Sequence, residues 1–249
     1  MADTKDTSSD MRDELALAAR KIAEVITSVF ESVDCVREHL VALHREVVAE
    51  GEDFTPEHLV QLRPVILEQL SRRPFLDGVG ILTAGDLFAE QARFIEWWRH
   101  DDDDDVVPLW LNFDPTSVDI YDYLEMEWFL RAERDNARTV YGPYLDYTGA
   151  DRYVVTMMAP AVDDRFLGVV GADVRMEHFE AEILPILYDL DSAVALVNAE
   201  RRVVLTNTRE WTVGSRLPSM PSSSDANYLG VARIDVESEW VLAALNAVG

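Results

Sequence analysis

The sequence is poor in positive charge, in cysteine and in long apolar runs. Its 249 residues include 22 Lys and Arg against 47 Asp and Glu, which gives a formal charge of −25 at pH 7. This charge repels phosphate backbones and anionic lipid headgroups, so direct binding of nucleic acid or a membrane surface is not expected. The single cysteine, Cys35, excludes an intramolecular disulfide framework. No run approaches the roughly 20 apolar residues of a membrane-spanning helix, and the polar start lacks the apolar segment of a secretory signal, so we expect a cytoplasmic protein.

Enough apolar residues are present for a packed core, since they make up 48% of the chain. Residues 1–10 are polar and are expected to form a disordered tail. A long helix then starts near Ser9 or Asp10 and runs to Gly51, because apolar residues recur in the heptad pattern. The apolar positions are Leu15, Ala19, Ile22, Ile26, Val29, Val33, Val36, Leu40, Leu43 and Val47. This stripe packs either along the chain's own domains or against a second copy, and the pattern leaves both open.

A second helix is predicted after Asp53, with Thr55 as its N-cap and Pro56 at its first position. It runs to about Ser71, and Pro64 is expected to kink or split it near Arg63 because proline cannot donate a helical hydrogen bond.

The rest of the chain carries mainly strand patterns, and Asp163-Asp164 is expected to join two of them in a hairpin. The predicted strands are 76–83, 92–99, 106–113, 153–161, 165–174, 193–197, 203–206, 231–236 and 240–245. Two further helices are predicted over 119–135 and 176–188, the second ending or bending at Pro185. The expected organisation is N-terminal helices over 11–72, a first module over 73–188 and a smaller second module over 189–249.

Four sequence stretches between Tyr121 and Asp173 form an ordered series. They are Tyr121-Asp-Tyr-Leu-Glu-Met-Glu-Trp-Phe, Gly142-Pro-Tyr-Leu-Asp-Tyr-Thr-Gly, Val154-Val-Thr and Gly168-Val-Val-Gly-Ala-Asp. This series resembles the ligand-binding half of a double Cache (dCache) domain, a PAS-like sensor module of bacterial chemoreceptors and sensor kinases. With the long leading helix, the resemblance covers nearly the whole chain. It implies an α+β fold in which a long N-terminal helix precedes two PAS-like (Cache) modules with antiparallel sheets, the second smaller.

Such modules normally lie between transmembrane helices, and the sequence predicts none. The resemblance is therefore to a free-standing cytoplasmic member that passes its signal to a separate output protein.

The resemblance also implies a ligand pocket in the first module. Tyr121, Trp128, Tyr144, Asp146 and Asp173 fall where amino-acid-binding members have residues that contact the ligand. Two other positions depart from that motif, because Met126 stands in place of the Arg that holds the ligand carboxylate and Phe129 in place of a Tyr. The candidate ligand-binding residues, with Tyr123 from the same aromatic segment, are Tyr121, Tyr123, Met126, Trp128, Phe129, Tyr144, Asp146 and Asp173.

These residue types favour a small amine-bearing or polar ligand. Aromatic rings around a carboxylate make a good ammonium site, with about 0.5 to 2 kcal/mol from each cation–π contact. Without an Arg at position 126, a ligand α-carboxylate has no partner, which disfavours ordinary α-amino acids unless Arg131 or Arg134 reaches the pocket.

No catalytic, cofactor or metal signature is found. The five histidines have no nucleophile motif nearby. The run Asp101 to Asp105 is interpreted as a solvated loop, because consecutive carboxylates point in different directions and do not converge on one ion. The expected function is a small-molecule sensor with no enzymatic activity. The alternative is a scaffold that forms a homodimer through the heptad helix and binds no ligand.

Overall fold

The computed structural model describes residues 4–89, 91–146, 152–236 and 238–246, which form five α-helices and ten β-strands. The helices are α1 (Thr4–Ala49), α2 (Pro56–Leu59), α3 (Arg63–Arg72), α4 (Glu127–Asp135) and α5 (Met176–Tyr188). The strands are β1 (Leu76–Thr83), β2 (Ile95–His100), β3 (Val106–Pro108), β4 (Thr139–Asp146), β5 (Arg152–Val162), β6 (Phe166–Arg175), β7 (Val194–Val197), β8 (Val203–Thr206), β9 (Tyr228–Arg233) and β10 (Val241–Leu245).

Contacts divide the chain into two units. The large unit is Ser28–Met176, and the small unit joins the chain up to Thr27 with Glu177–Gly249. This division places nearly all of α5 with the small sheet, which differs from the predicted boundary between residues 188 and 189.

Helix α1 carries the predicted heptad stripe. It begins at Thr4 rather than at Ser9 or Asp10, so part of the predicted tail over 1–10 is helical, while residues 1–3 lie outside the described residues. The prediction placed the start too late because the apolar stripe begins only at Leu15, and helical hydrogen bonding continues upstream of it. The helix ends before Gly51, whose φ of +78° suits a glycine at a helix C-terminus.

The heptad stripe is covered by residues of the same chain. Every stripe position except the half-buried Leu43 is buried, and Ile22, Ile26, Val33, Val36 and Leu40 have no exposed surface. Because the stripe is not exposed, it offers no apolar surface on which a second copy of the chain could pack. The predicted homodimer stays a prediction, and it would need another surface.

Helices α2 and α3 are the two halves of the predicted second helix. Thr55 is the N-cap of α2, and Pro56 occupies the first helical position. A 3-10 turn over Val60–Leu62 separates the halves, and α3 begins at Arg63, next to Pro64. The predicted split near Arg63 is confirmed, since the proline ring is tolerated only in a first helical turn.

The large unit is built on a six-stranded antiparallel sheet with the order β3-β2-β1-β6-β5-β4. All eight residues of the central strand β1 are buried. The predicted hairpin joins β5 and β6, and the Asp163 N–H donates to the Arg165 carbonyl at 3.0 Å. Together with the four-stranded sheet of the small unit, this confirms the predicted α+β class with two antiparallel sheets, the second smaller.

The segment between β3 and α4 differs from the prediction of a strand over 106–113 and a helix over 119–135. The strand ends at Pro108 and the helix begins at Glu127. Side chains in between bond to nearby backbone, since the amides of Asp114 and Thr116 donate to Asn112 Oδ1 (3.0 Å) and Asp114 Oδ1 (2.8 Å). Such local bonds compete with regular structure. Tyr121 therefore lies in an irregular segment and does not share a helix with Trp128.

The small unit contains a four-stranded sheet with the order β8-β7-β10-β9, in which β9 is an edge strand. Helix α5 continues through Pro185 to Tyr188, so the helix does not end at this proline as predicted, and the alternative of a bend stays a prediction. The Pro185 carbonyl accepts from the Asp189 N–H at 3.1 Å, so the last turn still closes. Among the helices of the described ranges, none is apolar over a length that would cross a bilayer.

Candidate functional site

A cavity opens on one face of the large sheet. Its walls come from strands β1, β2, β4, β5 and β6, from the irregular segment before α4, and from α4 itself. The lining residues are Leu82, Ile95, Trp97, Leu109, Leu111, Tyr121, Trp128, Tyr141, Tyr144, Asp146, Thr156, Met158 and Asp173. The cavity is narrow, with a volume of about 40 Å³. A site this narrow suits a small ligand held closely by its walls.

The sheet register brings the polar lining residues together. Tyr141 pairs with Thr156, Thr156 with Asp173, and Asp173 with Gly78 across three neighbouring strand pairs. Residues directly opposite each other in a sheet share a face. Tyr144 and Asp146 also lie on one face of β4, as their spacing of two predicts.

A second row of residues shapes the floor. Trp97 on β2 pairs with Gly80 on β1, and Gly80 pairs with Gly171 on β6. A Cβ added at Gly171 would lie 3.2 Å from Cη2 of Trp97. The two glycines therefore leave room for the indole to lie against the sheet, where it is 5% exposed and lines the cavity.

Five of the predicted ligand-binding residues line this cavity, namely Tyr121, Trp128, Tyr144, Asp146 and Asp173. Tyr121 reaches it from the irregular segment, where its N–H donates to the Asn112 carbonyl at 2.8 Å. The next residue, Asp122, accepts two hydrogen bonds from Arg93. Of the motif that begins at Gly142, the residues Tyr147, Thr148 and Gly149 lie outside the described residues.

Three predicted site residues do not line the cavity. Tyr123 and Phe129 are 0% and 2% exposed and belong to the hydrophobic core, with ring centroids 5.1 Å apart. Met126 is the N-cap of α4 and packs half-buried against the same core. Tyr123 lies outside the lining because it is in a 3-10 turn directed into the core, and Phe129 because it follows Trp128 on a different side of α4.

The Tyr123 hydroxyl has a structural role. It donates to the Thr83 carbonyl at 2.8 Å and accepts from the Phe94 N–H at 3.2 Å. Replacing Tyr123 by Phe should therefore leave buried backbone groups with fewer partners and lower the free energy of unfolding by about 1 to 3 kcal/mol, measured by urea denaturation. Tyr188→Phe, at a position that is 65% exposed, is the control and should change little. If Tyr123→Phe weakened ligand binding without lowering the free energy of unfolding, Tyr123 would instead belong to the binding site.

A chain of three hydroxyl and carboxyl groups runs along the cavity wall. The Thr156 hydroxyl donates to Asp173 Oδ1, and the hydroxyls of Tyr144 and Thr156 are 2.9 Å apart. Because Thr156 has only one proton to donate, Tyr144 donates to Thr156 when Asp173 is ionised. The chain therefore links the carboxyl group on β6 to the ring on β4.

Burial controls the protonation of this chain. Desolvation is the largest cause that raises the pKa of Asp173, to about 8. The charges of Asp146 and Asp77 act in the same direction, while the Thr156 hydrogen bond and the charge of Arg99, which lies outside the cavity lining, lower it. Burial and the Asp173 charge also raise the pKa of Tyr144 far above its usual range. At neutral pH, Tyr144 is thus a neutral donor, and Asp173 gains from any cation that enters the cavity.

The described lining contains two carboxyl groups and no Lys, Arg or His. Neither of the arginines considered for the place of the missing cation lines the cavity. Arg134 is paired with Asp135, with Nε 2.7 Å from Oδ1, and Arg131 is on α4 outside the lining. The described lining therefore presents two carboxyl groups and aromatic faces but no cationic side chain that neutralises a ligand carboxylate.

Sequence reasoning missed Trp97, Tyr141, Thr156 and Met158 as cavity residues. Trp97 could have been found only from its pairing with Gly80, because an aromatic residue opposite glycines marks a face where a ring lies against the sheet. Tyr141 and Thr156 follow from the position of Asp173 once the register of β4, β5 and β6 is known. Spacing along the sequence carries no such signal.

A group of potential metal ligands lies outside the cavity. Atoms of His44, Asp163 and Asp164 lie within 4.8 Å of one another. Asp163, however, already pairs with Arg45 (Nε to Oδ1, 2.5 Å) and with His44 (Nδ1 to Oδ2, 3.0 Å). This arrangement is an ion-pair network that ties α1 to the β5–β6 hairpin.

Comparisons with known proteins agree with this architecture. Residues 62–181 match the family model described as the first PDC sensor domain of proteins like methyl-accepting chemotaxis proteins. None of the curated proteins compared with the chain matches it.

Solved structures share the fold. "Methyl-accepting Chemotaxis protein X" is 16% identical with a TM-score of 0.63, covering 96% of this chain and 98% of its own. The ligand-binding domain of the Campylobacter jejuni chemoreceptor Tlp3 with L-valine is 13% identical with a TM-score of 0.63, covering 98% and 94%. The extracellular domain of a putative histidine kinase is 14% identical with a TM-score of 0.57, covering 96% and 94%. Residues 62–181 thus match the sensor-domain model, and the two antiparallel modules after a long helix share the fold of these Cache-type, PAS-like sensor-domain structures.

Proposed function

We propose that this protein is a small-molecule sensor whose cavity in the large unit binds a small amine. The observation that carries the proposal is the half-buried carboxyl group of Asp173, which lines a cavity with aromatic walls and no cationic residue among the described lining. A protonated amine supplies the positive charge that this site lacks.

Several groups would contribute to binding an ammonium ion. Asp173 would accept a charge-assisted hydrogen bond, which is about twice as strong as a neutral one. Tyr121, Trp128 and Tyr144 line the same cavity, and each face over the ammonium would contribute about 0.5 to 2 kcal/mol. Leucine, isoleucine and methionine side chains in the lining would bury an apolar substituent of the amine.

The same lining disfavours a free carboxylate on the ligand. A carboxylate placed beside Asp146 and Asp173 would be desolvated, and no cationic residue of the described lining neutralises it. The structures of the Tlp3 domain were solved with isoleucine and with L-valine. We propose that this chain differs in its preference, because Met126 occupies the motif position of the carboxylate-binding Arg and lies outside the cavity lining.

The output of the sensor is proposed to be a separate protein, and the sensor itself to have no enzymatic activity. Its structural relatives are sensor domains of chemoreceptors and histidine kinases. A cytoplasmic setting is part of the same proposal.

A thermal-shift comparison of matched ligands tests the proposal. The first set is 3-methylbutylamine, L-leucine and 4-methylpentanoate, and the second is phenethylamine, L-phenylalanine and 3-phenylpropanoate. Each set keeps one apolar skeleton and changes only the charged groups. We expect the amines to raise the melting temperature most, since a ligand at about 100 times its dissociation constant adds about 2.7 kcal/mol of stability.

The acids serve as controls for unspecific binding of the apolar skeleton and are expected to have no effect. Isothermal titration calorimetry then ranks each amine against its amino acid. The proposal is lost if neither amine stabilises the protein, or if an amino acid binds more tightly than the amine of its set.

A further inference from the structure

A second recess lies in the small unit, between α1 and the edge strand β9. It has a volume of about 630 Å³. The α1 side of this arginine groove is formed by Arg12, Leu15, Ala16, Ala19, Arg20 and Ala23, and the other side by Ser223, Leu229–Arg233 and Asp235. We propose that the arginine groove binds an extended acidic segment of a partner protein, which adds as a strand to β9.

Charge is the first observation behind this proposal. Arg12, Arg20 and Arg233 line the groove, and Asp235 is the one acidic residue in its described lining. None of the three arginines forms an ion pair with a described residue, although acidic residues outnumber basic ones by 47 to 22 in the whole chain. Three guanidinium groups that have no ionic partner among the described residues match carboxylates supplied from outside.

The backbone of β9 is the second observation. The Ile234 N–H donates to the Trp240 carbonyl at 2.9 Å, which fixes this pair as a hydrogen-bonded one. Because hydrogen-bonded pairs alternate along an antiparallel ladder, Val231 and Arg233 direct their N–H and C=O groups away from β10. No described strand pairs with this outer edge. Such an edge is a template for one more strand.

The shape of the groove distinguishes a peptide from a compact anion. From Arg12 to Ala23, α1 rises about 16 Å at its usual rise per residue. From Leu229 to Arg233, β9 extends about 13 Å. The lining therefore follows an elongated course along a strand edge. A Cβ added at Gly230 would lie 2.8 Å from Leu15 Cδ1, so the floor is formed where α1 packs closely on β9.

Fluorescence anisotropy with a labelled peptide of about eight residues, alternating glutamate and valine, tests strand addition. We expect binding that weakens with added salt. Arg12→Glu, Arg20→Glu and Arg233→Glu should each weaken it about tenfold, because each replaces an attractive charge by a repulsive one. Arg209→Glu is the matched control, since Arg209 is exposed, belongs to the small unit and lies outside the groove.

Two further peptides separate strand addition from binding of any polyanion. The first keeps the glutamates and replaces the central valines by prolines, which cannot donate to a strand ladder and should abolish binding. The second has lysine in place of glutamate and should not bind. Equal binding of the proline peptide, or equal losses in the groove variants and in Arg209→Glu, would overturn the proposal. Amine binding in the large unit is expected to be unchanged in all four variants.

Discussion

Replacing Asp173 by Asn is expected to abolish amine binding and to stabilise the unliganded protein at pH 8. The asparagine keeps the size of the side chain and a partner for Thr156 but removes the charge that the amine needs. In isothermal titration calorimetry, we expect the best amine to lose at least about a hundredfold in affinity, since a charge-assisted hydrogen bond is removed from a desolvated site.

The stability effect depends on pH. The pKa of Asp173 is raised to about 8 in the folded protein, against about 3.9 in an unfolded chain. Between these values, the folded state binds one proton more than the unfolded state, so stability falls as the pH rises from 5 to 8. Asp173→Asn should lack this decline. The difference in the free energy of unfolding between the variant and the wild type should therefore change by on the order of 3 kcal/mol over that range.

The matched control is Asp164→Asn, which removes the charge of an exposed carboxylate in the large unit. It should bind amines normally and show the wild-type dependence of stability on pH. Wild-type affinity for an amine should rise about tenfold per pH unit toward pH 8, because the amine needs the ionised carboxylate. An affinity that is constant from pH 6 to pH 8 would contradict the assignment of Asp173 as the group that meets the amine.

Replacing Asp77 by Asn is expected to lower the free energy of unfolding by about 3 kcal/mol, because it breaks a buried ion-pair network. The carboxylate of Asp77, 5% exposed, accepts hydrogen bonds from Nη1 of Arg152 and from Nε of Arg175, the second at 2.6 Å. Arg152 also donates to the His100 carbonyl at 2.9 Å and to Asp102 Oδ1 at 3.0 Å. Without Asp77, two half-buried guanidinium groups would lose their central partner.

Asp102→Asn is the control for this experiment, because Asp102 pairs with the same arginine but its side chain is 99% exposed. An exposed pair contributes about 0 to 1 kcal/mol, so this variant should unfold near the wild-type urea concentration. Equal midpoints for the two variants would show that the network is not stabilising. Since the charge of Asp77 raises the pKa of Asp173, Asp77→Asn should also move the pH dependence of amine binding to lower pH.

The parts of the fold that the sequence predicts are those with a strong local signal. The heptad stripe predicts α1, the Asp163-Asp164 turn predicts the β5–β6 hairpin, and Pro64 predicts the division between α2 and α3. The segment between β3 and α4 lacks such a signal, because its apolar residues follow a strand-like pattern while Asn112 and Asp114 bond to backbone nearby. The periodicity of apolar residues in the sequence does not reveal local side-chain hydrogen bonds of this kind.

The candidate site could likewise be predicted only in part from the sequence. The spacing of Tyr144 and Asp146 on a strand predicts that both face one side, and both line the cavity. Tyr121 and Tyr123 are also two residues apart, yet one reaches the cavity and the other the core, since they lie in an irregular segment and a 3-10 turn. The position of Trp97 in the cavity depends on strand pairing with Gly80. The arginine groove brings Arg12 and Arg20 together with Arg233, which lies near the other end of the sequence. Contacts of this kind are set by tertiary structure.

The raised pKa of Asp173 has a consequence for what the sensor would report. At neutral pH, the vacant site is largely a carboxylic acid rather than an anion. Under the proposed function, an arriving ammonium ion expels this proton, so that one monovalent cation is exchanged for another and the net charge of the complex stays constant. Acidification would therefore have the same effect as loss of the amine. The state of the Asp173 carboxyl group would depend on both the pH and the amine concentration.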